Sequence, residues 1–447
     1  MDIWSHIANL RNHRDLLKID AEIDGRLELA ALTDLVVKHA GPGLLFTQVK
    51  GARLYLATNL FGSERRMAAA LGQESLVSFG RLLTAALVGT EGNSSSQCLQ
   101  RLLRTVETEH QPTSRRSQPL NLDLLPELRF WPAEERSFLT LAVVITREAA
   151  SRQQNYGLYR VGRVGERSLS LNLLPGSGAS QHLKQWRALG KSMPVAILLG
   201  ADPALIFAAA APLPRNCAEE SFCAYLMQTK FESCRCQTLP LDCPSSGQMV
   251  IEGWITSDAS VNEGPFGCFT GDYGGSNACP LVEVSALSSV AEPLIPLTLA
   301  GPLPMEDCWI AKANLEVIRA RLAIDLPQIS SLEMPLETAF HRVYFVRSKI
   351  ATATVDELAE KMRRLDYLAG LKMLVLLRDA DKTVGEDNWR KILTQISSEQ
   401  IWQDPAADLA ALFIKRTPSL QHDARMLENL LQRLQIDVRE FTAGKEK

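Results

Sequence analysis

A glycine-rich stretch, NEGPFGCFTGDYGG at residues 262–275, combines one carboxylate with the residue types of a tight active-site turn. Its glycines permit sharp turns and close approach of the backbone to a ligand. Glu263 supplies a group for acid–base chemistry. Five residues later, where a second acid would complete a catalytic pair, the chain has Cys268. The stretch therefore predicts an active-site turn in which a thiol stands where a second carboxylate is expected.

Two interpretations of Cys268 follow from thiol chemistry. With an ordinary pKa of about 8.5, a thiol is mostly protonated at neutral pH and is able to donate a proton. It is a weaker acid than a tuned carboxyl group, and a neighbouring cation favours the nucleophilic thiolate over the thiol. The alternative is a small, inert thiol that fills part of the space of a lost carboxylate. The sequence leaves both interpretations open.

Hydrophobic periodicity predicts the elements that must position this turn. Residues 27–43 have apolar positions at helical spacing and end in glycine, and short apolar runs after them predict buried strands. The polar, proline-containing segment 109–119 marks a first boundary. From about residue 138 to 300, short strands alternate with turn residues, which is typical of an antiparallel barrel or sandwich. The remaining residues return to an α/β pattern, with a capping box at Thr354 and Glu357.

Composition excludes several classes of protein. The chain has 447 residues, of which 46% are hydrophobic and 22% charged, as in soluble globular proteins of more than one domain. A net charge of -3 gives no electrostatic reason to expect a nucleic-acid partner. The chain has no apolar run of about 18 residues, the minimum for a membrane span. The N-terminus lacks the basic and apolar regions of a secretory signal, so we expect a cytoplasmic protein.

The nine cysteines have an odd count and irregular spacing, which argues against a disulfide framework in so long a chain. Cys234, Cys236 and Cys243 form the only cluster. A structural zinc site would need C-x2-C pairs or nearby histidines, and the cluster has neither. The spacing favours ordinary thiols.

Four short segments, taken in order, resemble the UbiD family of reversible decarboxylases. They are QNYGLYR (154–160), LGADPA (199–204), PLPRNCAEESF (212–222) and IEGWITSDASVNEGPFGCFTGDY (251–273). The resemblance implies an α+β and α/β multidomain fold with three domains. These are an N-terminal α/β domain at 1–108, a central split β-barrel that binds flavin at 120–300, and a C-terminal α/β domain at 301–447.

The resemblance also implies a reaction and its cofactors. Members of the family use prenylated FMN, with a divalent metal such as Mn²⁺ or Mg²⁺ and potassium, to remove CO2 from aromatic or α,β-unsaturated acids. The modified flavin acts as an electron sink that side chains do not supply. The partners implied are a small carboxylic acid, a flavin prenyltransferase as the source of the cofactor, and further copies of the chain in a homodimer or larger assembly, with a hetero-oligomer as the alternative.

The family's metal-binding residues carry over in part. Asn155 matches the asparagine and Glu219 the glutamate, an oxygen-donor pair that suits a hard divalent ion. Counted without gaps, the position of the third ligand, a histidine, falls on Gly176, and His182 lies six residues later. The alternatives to metal binding are that Asn155 only caps a turn and that Glu219 is an ordinary exposed acid of a helix.

The catalytic residues of the family are an arginine flanked by two acids. Arg160 matches the arginine, Glu263 the first acid, and Cys268 occupies the place of the second acid, the proton donor. A guanidinium is suited to clamping a carboxylate bidentately. The late segment that closes over the cofactor in the family has only a weak counterpart here in QHDARM, residues 421–426.

Two functions remain open from the sequence. The first is a prenylated-FMN-dependent decarboxylase that takes its proton from Cys268 or from water. The second is a catalytically inactive UbiD-like subunit or binding protein that retains the fold and lacks the proton-donor acid. Arg160 with Glu263 favours the first, and the departures at Cys268 and Gly176 favour the second.

Overall fold

The computed structural model describes residues 2–104, 106–151, 153–256, 258–275, 278–338, 343–350, 352–378, 381, 383–385, 388–405, 419–437 and 441. The α-helices of this part of the chain are α1 Ile3–Asn12, α2 Glu28–Lys38, α3 Glu64–Ala70, α4 Leu76–Val88, α5 Ser95–Leu103, α6 Gly178–Ala188, α7 Pro203–Ala208, α8 Glu219–Met227, α9 Asp307–Asp325, α10 Val355–Arg363, α11 Trp389–Gln395 and α12 Ala424–Leu434.

The strands fall into three larger sheets and two small ones. They are β1 Leu16–Ile19, β2 Gly43–Phe46, β3 Tyr55–Thr58, β4 Thr108–His110, β5 Arg116–Ser117, β6 Phe138–Leu139, β7 Val143–Arg147, β8 Gln154–Leu158, β9 Val161–Arg163, β10 Ser168–Leu171, β11 Met193–Leu199, β12 Phe231–Arg235, β13 Asp242–Pro244, β14 Met249–Ile255, β15 Ser260–Asn262, β16 Phe266–Gly267, β17 Tyr273–Gly274, β18 Ala278–Ser289, β19 Leu294–Leu297, β20 Ile329–Glu333, β21 Val343–Ser348, β22 Met373–Leu377 and β23 Ile401–Gln403.

The N-terminal sheet has the order β1-β2-β3-β19. Helix α2 follows α1 and β1 and buries Leu29, Leu32 and Val36, the apolar positions that predicted it. Strand β19 comes from far along the chain and pairs in parallel with β3. The N-terminal sheet is therefore completed by residues that follow the central sheet in sequence.

The central sheet is curled and antiparallel, in the order β6-β9-β10-β18-β14-β11-β7-β8, with β5 and β15 also paired to β18. Strand β11 shows why it lies in the middle, since every one of its residues is buried. Its alternate side chains enter two different apolar clusters, one on each face of the sheet. This sheet confirms the antiparallel, strand-rich centre that the sequence predicts.

The C-terminal sheet has the order β20-β21-β22-β23, with α9 leading into it. Helix α10 begins with the predicted capping box, in which the Thr354 side chain accepts from the N–H of Glu357 and the Glu357 side chain accepts from the N–H of Thr354. The mixed helix-and-sheet, multidomain architecture is the one predicted, while the exact limits of the three domains stay a prediction. Within the described residues, no helix is long and apolar enough to cross a membrane.

Candidate active site

The centre of the candidate site is an ion pair between Arg160 and Glu263. Arg160 lies in the short connection between β8 and β9, and Glu263 directly follows β15. Arg160 Nε and Nη2 both donate to Glu263 Oε2, at 2.8 and 2.5 Å. The glutamate is 0% exposed and the arginine side chain 21% exposed. The structure therefore brings together two of the three residues that the sequence assigned to catalysis. The carboxylate is buried and the guanidinium is partly exposed.

Hydrogen bonding to Glu263 is uneven between its two oxygens. Oε2 also accepts from Asn172 Nδ2 at 2.9 Å and lies 3.6 Å from the Cys279 sulfur. Oε1 is buried and has no hydrogen-bond partner among the described residues. An unpaired buried carboxylate oxygen is costly in a folded protein unless something else pairs with it. This oxygen is therefore the free acceptor of the site.

Asn172 and Cys279 are site residues that sequence reasoning missed. Asn172 follows β10 and Cys279 is in β18, and each is buried. Burial raises the pKa of the Cys279 thiol to about 11, so it contacts Glu263 as a neutral group. An isolated asparagine after a strand and a single cysteine within one carry no sequence signal, because only the sheet brings them to Glu263.

The Arg160 guanidinium lies on an aromatic surface. Its central carbon is 4.0 Å from the centroid of the Phe266 ring, and Phe138 packs edge-on against Phe266 at 4.9 Å. A cation over an aromatic face is attracted by the quadrupole of the ring. The phenylalanine of the GPFG turn therefore helps to fix the plane of the guanidinium, in addition to the two hydrogen bonds to Glu263 Oε2.

Cys268 lies at the end of the same turn and is half-buried. Its backbone N–H donates to Asp272 O at 2.9 Å, and its sulfur is 3.6 Å from Phe266 O. Burial raises the pKa of the thiol, and the nearby Arg160 opposes this effect only in part. The thiol is therefore protonated at neutral pH and lies within the electrostatic reach of Arg160.

Glu134 is a second buried carboxylate at the site, and sequence reasoning also missed it. It accepts from the N–H groups of Phe130 and Trp131 at 2.8 and 3.2 Å and from that of Gly267 at 3.1 Å. Burial raises its pKa, and the three N–H groups, followed by Arg160, act in the opposite direction. Because its oxygens are occupied by backbone donors, Glu134 ties the segment before β6 to the GPFG turn.

The QHDARM segment returns to this turn. Leu420 N–H donates to Gly271 O at 3.0 Å, and the His422 ring stacks on Trp131 with centroids 4.3 Å apart. Burial lowers the pKa of His422 to about 4, so the ring is neutral. Its two ring nitrogens are buried and lack a partner within the described residues. The weak sequence counterpart of the family's closing segment therefore does cover the turn, through Trp131.

Asn155 and Glu219, the predicted metal ligands, line one polar cavity of about 470 Å³ together with Gly176 and His182. Asn155 lies in β8 and packs so closely on the first residue of α6 that a Cβ at Gly178 would be 1.9 Å from Asn155 Oδ1. Asn155 Nδ2 is buried and has no partner in the described chain. The cavity thus contains a polar side chain that is only partly satisfied.

Glu219 begins α8, and its Oε2 accepts from Tyr156 N–H at 3.3 Å. Burial raises its pKa to about 8, so the carboxyl is mostly protonated at neutral pH in the metal-free protein. His182 Nδ1 is 2.9 Å from Thr146 Oγ1, and burial lowers its pKa. Across the described ranges, no group of three or more histidine, cysteine, aspartate or glutamate side chains is arranged to hold a metal ion. The two predicted oxygen ligands line the same cavity as Gly176, the position of the predicted third ligand.

Family models match most of this region. The N-terminal domain of 3-octaprenyl-4-hydroxybenzoate carboxy-lyase matches residues 7–85, and the Rift-related domain of the same family, UbiD, matches residues 104–303. An uncharacterized protein of Aquifex aeolicus is 30% identical over 361 residues, covering 78% of this chain and 74% of the relative.

Solved structures share the fold. An evolved dimeric form of the UbiD-class enzyme HmfF from Pelotomaculum thermopropionicum, in complex with prFMN, matches with a TM-score of 0.73 and 20% identity over 88% of each chain. The closed form of Sedimentibacter hydroxybenzoicus vanillic acid decarboxylase matches with a TM-score of 0.75 and 16% identity, covering 98% of this chain and 99% of the other. These similarities confirm the resemblance seen in the sequence. Sequence and fold together show that the chain belongs to the UbiD family.

Proposed function

We propose that this protein is a non-oxidative decarboxylase of an aromatic or α,β-unsaturated carboxylic acid that uses prenylated FMN. The observation that carries the proposal is the sealed Arg160–Glu263 pair with its one free carboxylate oxygen. An ion pair with a fully buried carboxylate is a weak source of stability, so a role in chemistry is the better reason for its presence. The solved structure of HmfF in complex with prFMN supports the choice of cofactor.

The residues present fit a flavin mononucleotide in their spacing. Asn155 and Glu219 stand at one end of β8 and Arg160 follows its other end. Five residues of extended chain span roughly 16 Å, comparable to the long dimension of FMN. The unpaired Asn155 Nδ2 suits a phosphate oxygen at one end, and Glu263 Oε1 suits a polar group at the other. When bound, prenylated FMN supplies an electron sink for the carbon that loses CO2.

The residues at the Asn155 and Glu219 end of the site fit a metal ion less well than those at the Arg160 end fit the flavin ring. Asn155 and Glu219 would hold a divalent ion, Mn²⁺ or Mg²⁺, in company with phosphate and water, since such ions usually keep several waters. The third protein ligand of the family is absent at Gly176. Potassium rests on the resemblance alone.

Two side chains of this site act on the substrate in the proposal. Arg160 uses Nε and Nη2 for Glu263, so Nη1 is the remaining nitrogen for binding the substrate carboxylate. Loss of CO2 from the carboxylate leaves an electron pair on carbon that must take up one proton. The protonated Cys268 thiol is the donor at the position of the missing acid, and it regains its proton from water.

The proposal also includes partners and location. A flavin prenyltransferase supplies the cofactor, a small carboxylic acid is the substrate, and copies of the chain assemble as a homodimer or larger oligomer in the cytoplasm. One relative is named as a dimeric form, which supports the assembly.

A specific observation favours the inactive UbiD-like protein as a second candidate. Cys268 and Gly176 replace an acid and a metal ligand at two separate points of the same site. In that case the fold and the Arg160–Glu263 pair persist as a binding surface for flavin or a partner chain.

The test is CO2 release by protein co-produced with a flavin prenyltransferase, assayed on a panel of cinnamate-like and hydroxybenzoate-like acids. Three variants accompany the wild type: Cys268→Glu, Cys268→Ala and Glu263→Gln. The proposal expects activity in the wild type, equal or higher activity in Cys268→Glu, and loss in Cys268→Ala and Glu263→Gln. If neither the wild type nor Cys268→Glu releases CO2 while both retain the cofactor, the inactive form is correct.

A further inference from the structure

The cysteine cluster noted in the sequence lies against a buried arginine far along the chain from the catalytic turn. Arg115 is 6% exposed. Its Nη1 lies 2.9–3.0 Å from the carbonyl oxygens of Pro244, Ser245 and Gly247, and its Nη2 donates to the sulfurs of Cys234 and Cys243 at 3.0 and 3.2 Å. One guanidinium therefore fixes the positions of two thiols.

The two thiols face each other across neighbouring strands. Cys234 in β12 and Cys243 in β13 are direct partners in an antiparallel pair, and their sulfurs are 3.6 Å apart. Opposed residues of such a pair have Cα atoms about 4.5–5.5 Å apart, which is within the range of disulfides. The sulfurs need only approach each other to about 2.05 Å to bond. The register of the two strands is therefore compatible with a disulfide.

The charge of Arg115 has no carboxylate partner within the described part of the chain, where its hydrogen bonds go to carbonyls and sulfurs. A buried cation favours an anion beside it, and among the groups that Arg115 contacts in the described chain only the sulfurs can become one. The hydrogen bond with Cys243 and then burial raise the pKa of Cys234 well above its usual range, and Arg115 opposes this only in part. The pKa of Cys243 is also raised, to about 12, since the contact with Cys236 and burial outweigh the effects of Cys234 and Arg115. Both thiols are therefore protonated at neutral pH, and Arg115 stabilises the minor thiolate form that reacts.

Cys236 lies beside the pair and contacts Cys243. This residue is two positions after Cys234, on the same face of β12, and is half-buried, whereas Cys234 and Cys243 are 6% and 2% exposed. The described chain offers no metal-binding group here, and a guanidinium in contact with two sulfurs repels a metal cation. The cluster is built for thiol chemistry and not for zinc.

We propose that Cys234 and Cys243 form a reversible cross-strand disulfide, with a peroxide as the oxidant. One thiolate attacks the O–O bond of hydrogen peroxide, which gives a sulfenic acid and hydroxide. The sulfur of the second thiol then attacks the sulfenic sulfur and forms the S–S bond. The sulfenic hydroxyl group leaves and takes up the proton of the second thiol, which gives water. In sum, two thiols and one peroxide give one disulfide and two waters.

Strand β13 also contacts the candidate active site, through Gln154. It holds this side chain by both polar atoms, because Gln154 Nε2 donates to Asp242 O at 2.9 Å and Gln154 Oε1 accepts from Asp242 N–H at 2.8 Å. Asp242 precedes Cys243, and Gln154 lines the polar cavity beside Asn155. The proposed disulfide is therefore one residue from a direct contact between β13 and a side chain of the cavity.

The test treats the folded full-length protein with hydrogen peroxide, blocks remaining thiols and maps peptides by mass spectrometry. Trypsin cleaves after Lys230 and Arg235, so Cys234 is released in a peptide separate from Cys236 and Cys243. The expected product is one cross-link between these peptides, with loss of two hydrogens and reversal by a dithiol reductant. The second peptide extends to Lys312 and contains Cys236, Cys243, Cys268, Cys279 and Cys308. Cys236→Ser leaves the proposed pair intact and tests Cys236 as the partner, and Cys243→Ser distinguishes Cys243 from the remaining cysteines of the peptide.

The proposal expects the cross-link in wild type and in Cys236→Ser and its loss in Cys243→Ser. Two results overturn it: a cross-link that disappears in Cys236→Ser, or a folded wild type with Cys234 and Cys243 still reduced after other cysteines have been oxidised. Because Cys236 is half-buried and outside the contact with Arg115, its serine variant keeps the test valid even if Cys243→Ser fails to fold.

Discussion

The two ends of the candidate site differ in how completely their polar groups are paired. At the Arg160 end, Glu263 Oε2 receives two donors from the guanidinium and one from Asn172. At the cavity end, Asn155 Nδ2 is unpaired and burial raises the pKa of Glu219 to about 8. The polar groups of the Arg160 end are paired before any ligand binds. At the cavity end, Glu219 lacks a compensating cation and Asn155 Nδ2 lacks an acceptor within the described residues. Under the proposed function, the end that binds the flavin ring is therefore preorganised and the end that binds the metal is incomplete.

Removal of the Glu263 carboxylate should have the largest effect. Glu263→Ala leaves Arg160 and Asn172 without their acceptor, and loss of one partner of a buried pair costs about 3 kcal/mol. We expect a matching fall in the free energy of unfolding and complete loss of activity. Glu252→Ala is the control, since Glu252 is also buried but accepts only from Gln237 and Thr238. If the two variants lose activity equally at equal stability, the special role of Glu263 is wrong.

The pH dependence of stability tests whether the Glu219 carboxyl group in the cavity lacks a compensating charge. Because the native pKa of Glu219 is about 8 and its ordinary value is 4.5, the unfolded state loses this proton first as the pH rises. Stability of the metal-free protein should therefore be greatest below pH 4.5 with respect to this group and decline towards pH 8. The measurement is Tm against pH for wild type and Glu219→Gln, because other buried acids share the window.

The difference between these two curves isolates Glu219. We expect the variant to gain Tm relative to wild type as the pH rises towards 8, and added Mn²⁺ to reduce the gap by stabilising the ionised carboxylate. Parallel curves across this range would contradict the assignment of an uncompensated carboxyl to the cavity.

Restoring the histidine of the family at position 176 should strengthen metal binding in the polar cavity. Gly176→His places an imidazole where the family has its metal histidine, and a Cβ at Gly176 has no atom within 4 Å. We expect Mn²⁺ affinity to rise by about tenfold or more, measured by titration calorimetry. The φ of +86° makes the substitution strained by about 1–2 kcal/mol. Gly190→His is the matched control, with φ +62° and equally open space but outside the cavity. Equal metal affinity in both variants would remove the cavity from consideration as a metal site.

The smallest effect is expected for a substitution outside the candidate active site. Thr354→Ala removes the side-chain acceptor of the capping box of α10 and should lower the free energy of unfolding by about 1 kcal/mol. Flavin binding and Mn²⁺ affinity should not change. This variant separates the consequences of lower stability from those of a damaged site, and a loss of flavin here would show that the two are not separable.

Most of the fold was predictable because it is encoded locally. The capping box at Thr354 and the apolar run of β11 predict their elements without knowledge of distant contacts. Strand β19 lies at the end of the strand-rich region, and nothing in its four apolar residues predicts that it leaves the central sheet to pair with β3. Parallel pairing between distant segments depends on the packing of the whole chain.

The site was predictable where a residue belongs to a recognisable segment. Arg160 and Glu263 come from two such segments, and the structure pairs them. Asn172 and Glu134 lie outside those segments, and their importance arises only from the proximity of single side chains in the folded sheet. His422 lies between these cases, since its segment was noted but its stacking on Trp131 was not.

The most direct test of the account is native mass spectrometry with an absorbance spectrum, on protein co-produced with a flavin prenyltransferase. We expect a bound species with the mass of prenylated FMN in wild type and in Thr354→Ala, and its loss in Glu263→Ala. A folded, homogeneous wild type without bound flavin would contradict the claim that the Arg160–Glu263 pair is part of a working cofactor site.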